Sequence, residues 1–137
     1  MTITETAMSQ YGITEIPGIE HNEEILKYFS EIGHEWVKDD ETSWCSAFIN
    51  WCAKKSCLPY SGKLDARSWL NVGTEVQEPV VGDIVVLWRE KKNSWKGHVG
   101  IFVRVAGNSI YILGGNQNNS VNVRTYPKDR LLGYRRL

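Results

Sequence analysis

The chain has 137 residues, 42% hydrophobic and 23% charged, and its sixteen basic residues are balanced by sixteen acidic ones. That length suits a single domain, spanning residues 1–137, with no room for a separate binding module. The composition excludes a disordered chain, and the zero net charge removes the global field that nucleic acid or an anionic membrane would call for.

Residues 1–21 read as a polar lead-in with Pro17-Gly18 as a turn signal. The first ten residues lack the apolar segment of a signal peptide, and no apolar run reaches the roughly 18 residues needed to span a bilayer. The expectation is synthesis in the cytoplasm without a signal peptide, and no membrane insertion. A helix is expected from Asn22, with Glu23 and Glu24 in its first turn, Ile25, Phe29 and Ile32 on its buried face, and an end near residues 36–37. Residues 38–41 form a charged connection.

The next stretch, Thr42-Ser43-Trp44-Cys45-Ser46-Ala47-Phe48-Ile49-Asn50-Trp51, reads as a second helix with Ser43 as N-cap and an end near Lys55. Phe48, Trp51 and Cys52 form its apolar stripe. Residues 58–62 are a loop, and residues 66–70 a short third helix stopped by Gly73. The pattern then changes to strands at 84–88, 98–105, 109–113 and 121–125, with 132–136 closing the sheet. Gly107-Asn108 is a hairpin turn, and residues 114–120 are a loop rich in Gly and Asn. Helices first and an antiparallel meander second make an α+β arrangement.

Cys45 falls in a first helical turn, among unpaired N–H groups at the positive end of the helix dipole, where a thiol tends to ionise and become nucleophilic. A cysteine nucleophile needs a base, and the base needs a group to hold its ring. Of three histidines, His21 lies in the lead-in and His34 late on the first helix. His98 opens a strand inside Gly97-His98-Val99-Gly100, with glycines leaving space around the ring. If strands 98–105 and 109–113 pair, Gly114-Gly115-Asn116-Gln117 returns close to His98, and Asn116 or Gln117 is placed to accept from the imidazole N–H.

An oxyanion site is expected from the Cys45 backbone N–H and a second donor between Asp40 and Ser43. Cys52 reads as a small buried hydrophobe, Cys57 as incidental, and Asp83 as a turn residue. Three cysteines form no closed disulfide set and lack zinc-knuckle spacing, so a reduced compartment at synthesis is the simple reading. Six tryptophans are many for this length; some must be core, but a surplus also fits an aromatic-walled groove, and Trp69, Trp88 and Trp95 are candidates for its walls, with core packing as the alternative for each.

Trp44-Cys45-Ser46-Ala47-Phe48, Gly82-Asp83-Ile84-Val85, Gly97-His98-Val99-Gly100 and Gly114-Gly115-Asn116-Gln117 occur in this order. Together they resemble the NlpC/P60 and CHAP superfamily of papain-like cysteine peptidases and amidases, in particular a small, phage- or prophage-associated branch. The resemblance runs from about Asp40 to the end of the chain. It implies a permuted papain-like fold, with N-terminal helices packed on an antiparallel sheet, and cleavage of amide bonds in bacterial peptidoglycan. By position Cys45 matches the nucleophile and His98 the base. Many relatives place Glu and Asn, or a second His, at the third position. Here Asn116 is favoured, with Gln117 as orienter or oxyanion support.

The leading expectation is a peptidoglycan amidase or endopeptidase working through an acyl-enzyme, with no metal or other cofactor. Delivery would need a holin, as for a phage lysin, or a secretion machine, as for an effector with its immunity protein. Alternatives are a cytosolic cysteine amidase or acyltransferase with a non-wall substrate, and a catalytically silent wall-binding module.

Overall fold

The computed structural model describes residues 1–16, 21–38 and 43–137. The Pro17-Gly18 turn and most of the charged connection at 38–41 lie outside the described residues. The lead-in is more ordered than its polarity suggests. It carries helix α1, Ile3–Met8, closed by a capping box in which Thr2 and Glu5 satisfy each other's backbone N–H groups. Helix α2, Glu23–Ser30, is capped by the Asn22 side chain on the Glu24 N–H at 2.9 Å and buries Ile25, Tyr28 and Phe29. It ends earlier than its apolar pattern suggests. Gly33 takes φ +93°, and the His34 N–H turns back to the Phe29 carbonyl at 2.9 Å.

Helix α3, Cys45–Lys55, is the central element, with nine of its eleven residues buried. It is tied to α2 by Glu31, which accepts from the Trp51 indole at 2.9 Å and pairs with Lys55 at 3.0 Å. A buried polar cluster fixes its other flank. The Asn50 amide donates to the Lys63 carbonyl at 2.9 Å and accepts from the Gly62 N–H at 2.8 Å. Ser46 Oγ also donates to the Lys63 carbonyl, at 2.7 Å, and accepts from the Trp69 indole at 3.1 Å. The expected third helix is present as a 3₁₀ segment, Ala66–Asn71, held against α3 by these bonds.

The strands are β1 Thr74–Val76, β2 Ile84–Trp88, β3 Gly97–Ala106, β4 Ser109–Gln117, β5 Ser120–Pro127 and β6 Leu131–Arg136. They form one antiparallel sheet in the order β1-β6-β2-β3-β4-β5. β2 shows how both faces are used. Ile84 and Val86 join the core under the helices, while Val85 and Leu87 pack with Phe102, Ile110, Ile112 and Tyr134 on the other face. The architecture is α+β, with the helices packed on an antiparallel sheet.

Two sheet features depart from the sequence reading. β1 is an added edge strand beside β6, too short to show a period of its own. The stretch 114–120 is a strand and a tight turn rather than a loop. β4 continues through Gly114, Gly115 and Asn116 to Gln117, which pairs with Ser120 across Asn118 and Asn119, at φ +54° and +64°. The glycines let this strand pass under α3. A Cβ on Gly115 would lie 2.6 Å from the Trp44 ring and 2.8 Å from Phe48.

The ends of the sheet are pinned by charge. Arg136 donates to both carboxylate oxygens of Asp83, at 2.9 and 2.8 Å, and Asp83 also accepts from the Val80 N–H at 2.8 Å. Burial alone would raise the Asp83 carboxyl, but Arg136 and the Val80 N–H outweigh it and hold the group below its ordinary 3.8. A carboxyl depressed by folding stabilises above its unfolded value and loses that contribution as pH falls through its folded value. Asp83→Ala is therefore expected to cost about 2–3 kcal/mol near neutrality. In thermal melts the gap between wild type and variant should narrow as pH drops below 3.8. A gap independent of pH would assign the loss to packing.

Candidate active site

Cys45 is the first residue of α3. The expected N-cap, Ser43, is displaced by one position. Trp44 occupies the cap without a side-chain cap bond, since an indole has no acceptor to offer; its N–H donates to Glu15 at 3.0 Å. This leaves the Ser43 hydroxyl at the cleft mouth, where it accepts from Asn116 Nδ2 at 3.4 Å.

His98 stands at the second position of β3, opposite Leu87 of β2. Its ring and the Val99 backbone N–H lie beside the Cys45 sulfur, near enough for both to favour its charged form. The other partner of the ring is Gln117, with Nε2 of His98 and Oε1 of Gln117 2.9 Å apart. The Gln117 amide can be oriented in only one way. Its nitrogen faces three acceptors: the Ile112 carbonyl at 3.0 Å, the Asn122 carbonyl at 2.8 Å and Asn122 Oδ1 at 3.1 Å. Oε1 therefore faces the ring and accepts, His98 carries its proton on Nε2, and Nδ1 is left for the sulfur. Asn122 is itself fixed, donating to the Gln117 carbonyl at 2.9 Å and to Ser120 Oγ at 2.8 Å. Tyr126 stacks on the imidazole with centroids 5.0 Å apart and planes at 28°.

The expectation that Asn116 meets the histidine is corrected. A regular ladder running on from the Ile101–Leu113 pair would set Asn116 opposite His98, but the register of β4 shifts between Gly114 and Gln117. Asn116, at φ +57°, points toward Ser43, and Gln117 takes the place beside His98. Two glycines make this possible. A Cβ on Gly114 would stand 2.8 Å from Gln117 Oε1, and one on Gly100 would clash with Ile112.

Burial alone would push the Cys45 thiol up, but the His98 bond, the His98 charge, the Val99 N–H and Arg89 outweigh it and hold the thiol below its ordinary value. Burial would likewise lower His98, yet the bond and charge of Cys45 and the bond to Gln117 raise it, against an opposing push from Arg89. The two shifts describe one coupled pair that favours thiolate and imidazolium together. Cys52, buried in the apolar core, is driven the opposite way.

Beside Cys45 lies a cleft of about 90 Å³. Trp95, 72% exposed, lines it, together with Ser43, Asp65, Arg89 and Lys96. Of the three expected groove tryptophans, only Trp95 is there. Trp69 is fully buried, its indole needed by Ser46. Trp88 is tied to the 128–130 turn, donating to the Asp129 carbonyl at 3.3 Å under the Arg130 guanidinium. A larger depression of about 490 Å³ lies along β1 and β6, lined by Glu75, Phe102 and Tyr134 among others, and carries neither a cysteine nor a histidine. His34 braces the loop after α3, bonding the Gly62 carbonyl at 2.8 Å. The expected second oxyanion donors from Asp40 to Thr42 lie outside the described residues. Arg89, Asn122 and Tyr126 were missed in the sequence. Alternation along β5 is the one signal that could have placed Asn122 and Tyr126 on the same face. Arg89, just past the end of β2, gave none.

A thiol at a helix start, paired with a strand-borne imidazole whose far nitrogen is held by an amide, is the arrangement of papain-like cysteine enzymes. The chain belongs to the CHAP domain family, which matches residues 37–116 and groups peptidoglycan hydrolases of the cysteine peptidase or amidase type. No curated protein matches the chain. Among solved structures it is similar to one from Staphylococcus aureus subsp. aureus Mu50, described as similar to a lipoprotein of the NLP/P60 family. Identity is 18% and the TM-score 0.46, with 90% of this chain and 44% of that one covered. The chain thus spans less than half the length of that protein. Among the described residues, no helix is long and apolar enough to cross a membrane.

Proposed function

We propose that this chain hydrolyses an amide bond in the stem peptide of bacterial peptidoglycan, with Cys45 as nucleophile, His98 as acid and base, and Gln117 as the group that holds the ring. The observation that carries the reading is Cys45 on an open cleft beside the His98 ring, whose far nitrogen is held by Gln117. His98 Nδ1 takes the thiol proton, and the sulfur adds to the scissile carbonyl carbon. The carbonyl oxygen, now negative, is met by the Cys45 backbone N–H. The Ser43 hydroxyl, whose oxygen accepts from Asn116, keeps its own proton free to be the second donor. Collapse breaks the C–N bond, and His98 returns the proton to the departing amine. Water, deprotonated by the same imidazole, then adds to the thioester and releases the acid and the thiol. In this reading Asn116 serves Ser43 rather than His98. Reaching the wall through a holin or a secretion machine, with an immunity protein in the second case, belongs to the same proposal.

The test is mass spectrometry of fragments released from purified sacculi. New stem-peptide termini produced by wild type support the reading. Intact sacculi alongside turnover of small amide or thioester substrates would assign a non-wall amidase or acyltransferase. Intact sacculi with retention of the protein on them would assign a silent binding module.

A further inference from the structure

Two cations line the cleft beside Cys45, Lys96 and Arg89, and a third, Arg67, follows the lining residue Ala66; Arg67 and Lys96 are engaged. Arg67 spends its guanidinium on the backbone, donating to the carbonyls of Lys96, Lys92 and Lys91 at 2.8, 2.8 and 3.0 Å. It thereby clamps the 91–96 loop, which presents Trp95, against the 3₁₀ segment. Lys96 is paired with both oxygens of Glu90, at 3.0 and 3.1 Å. Arg89 is exposed and lines the cleft with Cys45; its backbone bonds to Lys96 and Lys91, but its guanidinium makes no hydrogen bond or ion pair among the described residues. The Asp65 carboxylate, in the same cleft, makes no ion pair with it.

A guanidinium at the mouth of a cleft, with five donors and no internal acceptor, is matched in geometry to a carboxylate, which it can bind through two parallel bonds. It stands close enough to the reacting pair for its charge to be felt by Cys45 and His98. We propose that Arg89 is a specificity-determining residue that binds a free carboxylate next to the scissile amide, so that acidic peptide substrates are cleaved in preference to their carboxamide counterparts. This rests on the hydrolase reading for its substrate, but the anion site itself does not. The backbone around it is pre-ordered: Arg89 donates its N–H to the Lys96 carbonyl at 3.3 Å and accepts from the Lys91 N–H at 2.7 Å, and Arg67 clamps the carbonyls of those same two residues, which lowers the ordering cost of binding.

Two measurements separate the anion site from the reaction. The first is the rate of Cys45 alkylation by iodoacetate relative to iodoacetamide, in wild type, Arg89→Gln and Arg89→Lys. The two reagents share a reactive carbon and differ in a carboxylate. Any effect of Arg89 on thiol ionisation changes both rates alike and cancels in the ratio. The iodoacetate-to-iodoacetamide ratio is expected to fall about five- to tenfold in Arg89→Gln and to recover in part in Arg89→Lys. An unchanged ratio overturns the proposal. The second is kcat/KM for paired peptides with a free or amidated carboxyl beside the scissile bond. Wild type is expected to favour the acid, and Arg89→Gln to lose that preference. Equal cleavage of both by wild type overturns the substrate assignment even if the alkylation ratio falls. Failure of wild type to cut either peptide or sacculi counts against the hydrolase reading, and the alkylation ratio still decides whether Arg89 receives an anion.

Discussion

Cys45→Ala is expected to lower cleavage of sacculi by about 10⁴-fold or more, the loss seen when an activated nucleophile is removed from a cooperating set. No neighbour can substitute. Cys52 is fully buried in the apolar core with its thiol pushed up, and Cys57, though exposed, lies beyond the far end of α3. The variant should fold, because the change removes a single sulfur atom at the first residue of α3 and alanine suits a helix. Its melting temperature should stay within a few degrees of wild type, so that lost activity is read as lost chemistry. Equal lysis by wild type and variant would remove Cys45 as the nucleophile.

The same pair sets the pH dependence. Cys45 is held below the ordinary thiol value of 9.0 and His98 above the ordinary imidazole value of 6.5. Lowering one and raising the other widens the range in which the sulfur is charged and the ring protonated. Activity should fall on the acid side as the sulfur is protonated and on the alkaline side as His98 loses its proton. Alkylation of Cys45 by iodoacetamide should stay fast below neutral pH.

The sequence exposed the parts of this site that are local and hid those made by geometry. Cys45 could be placed at a helix start because the stripe of Phe48, Trp51 and Cys52 defines the helix. His98 could be placed at a strand entry because the β-branched run after it defines the strand. Each is a statement about a few adjacent residues. The choice between Asn116 and Gln117 was different in kind. It turned on a register shift within β4 between Gly114 and Gln117, with Asn116 left-handed, while Gly-Gly-Asn argues locally for a loop. Gly115 is there because Trp44 and Phe48, some 70 residues away in the chain, come too close for a side chain, and Gly114 because Gln117 folds back over it. Trp69 and Trp95 show the same limit, since an indole buried on Ser46 and one open to solvent have the same local signature. Arg89 was invisible because its meaning lies in which cations around the cleft are already engaged.

Gln117→Leu is expected to lower kcat/KM by about 10²–10⁴-fold, the range for losing the group that fixes a catalytic histidine's tautomer and orientation. Asn116→Ala, one residue away, should cost tenfold or less, in keeping with the loss of a long bond to Ser43. Gln117 touches neither substrate nor sulfur, so it is a positioning residue and rate alone does not identify its part. Leucine also leaves the Ile112 and Asn122 carbonyls without their donor, at about 2 kcal/mol of stability. Gln117→Glu separates positioning from packing. The carboxylate keeps the volume and still accepts from His98 Nε2, but it faces the Ile112 carbonyl and both Asn122 oxygens with no proton to give. A second negative charge beside the ring should raise His98 further and move the alkaline limb of the pH–rate profile upward. A merely structural glutamine would lose stability in both variants and leave that limb where it was. If instead Asn116→Ala were crippled and Gln117→Leu nearly normal, the ring would have to be held from the other side, and the bond between His98 and Gln117 would be a packing contact without a part in turnover.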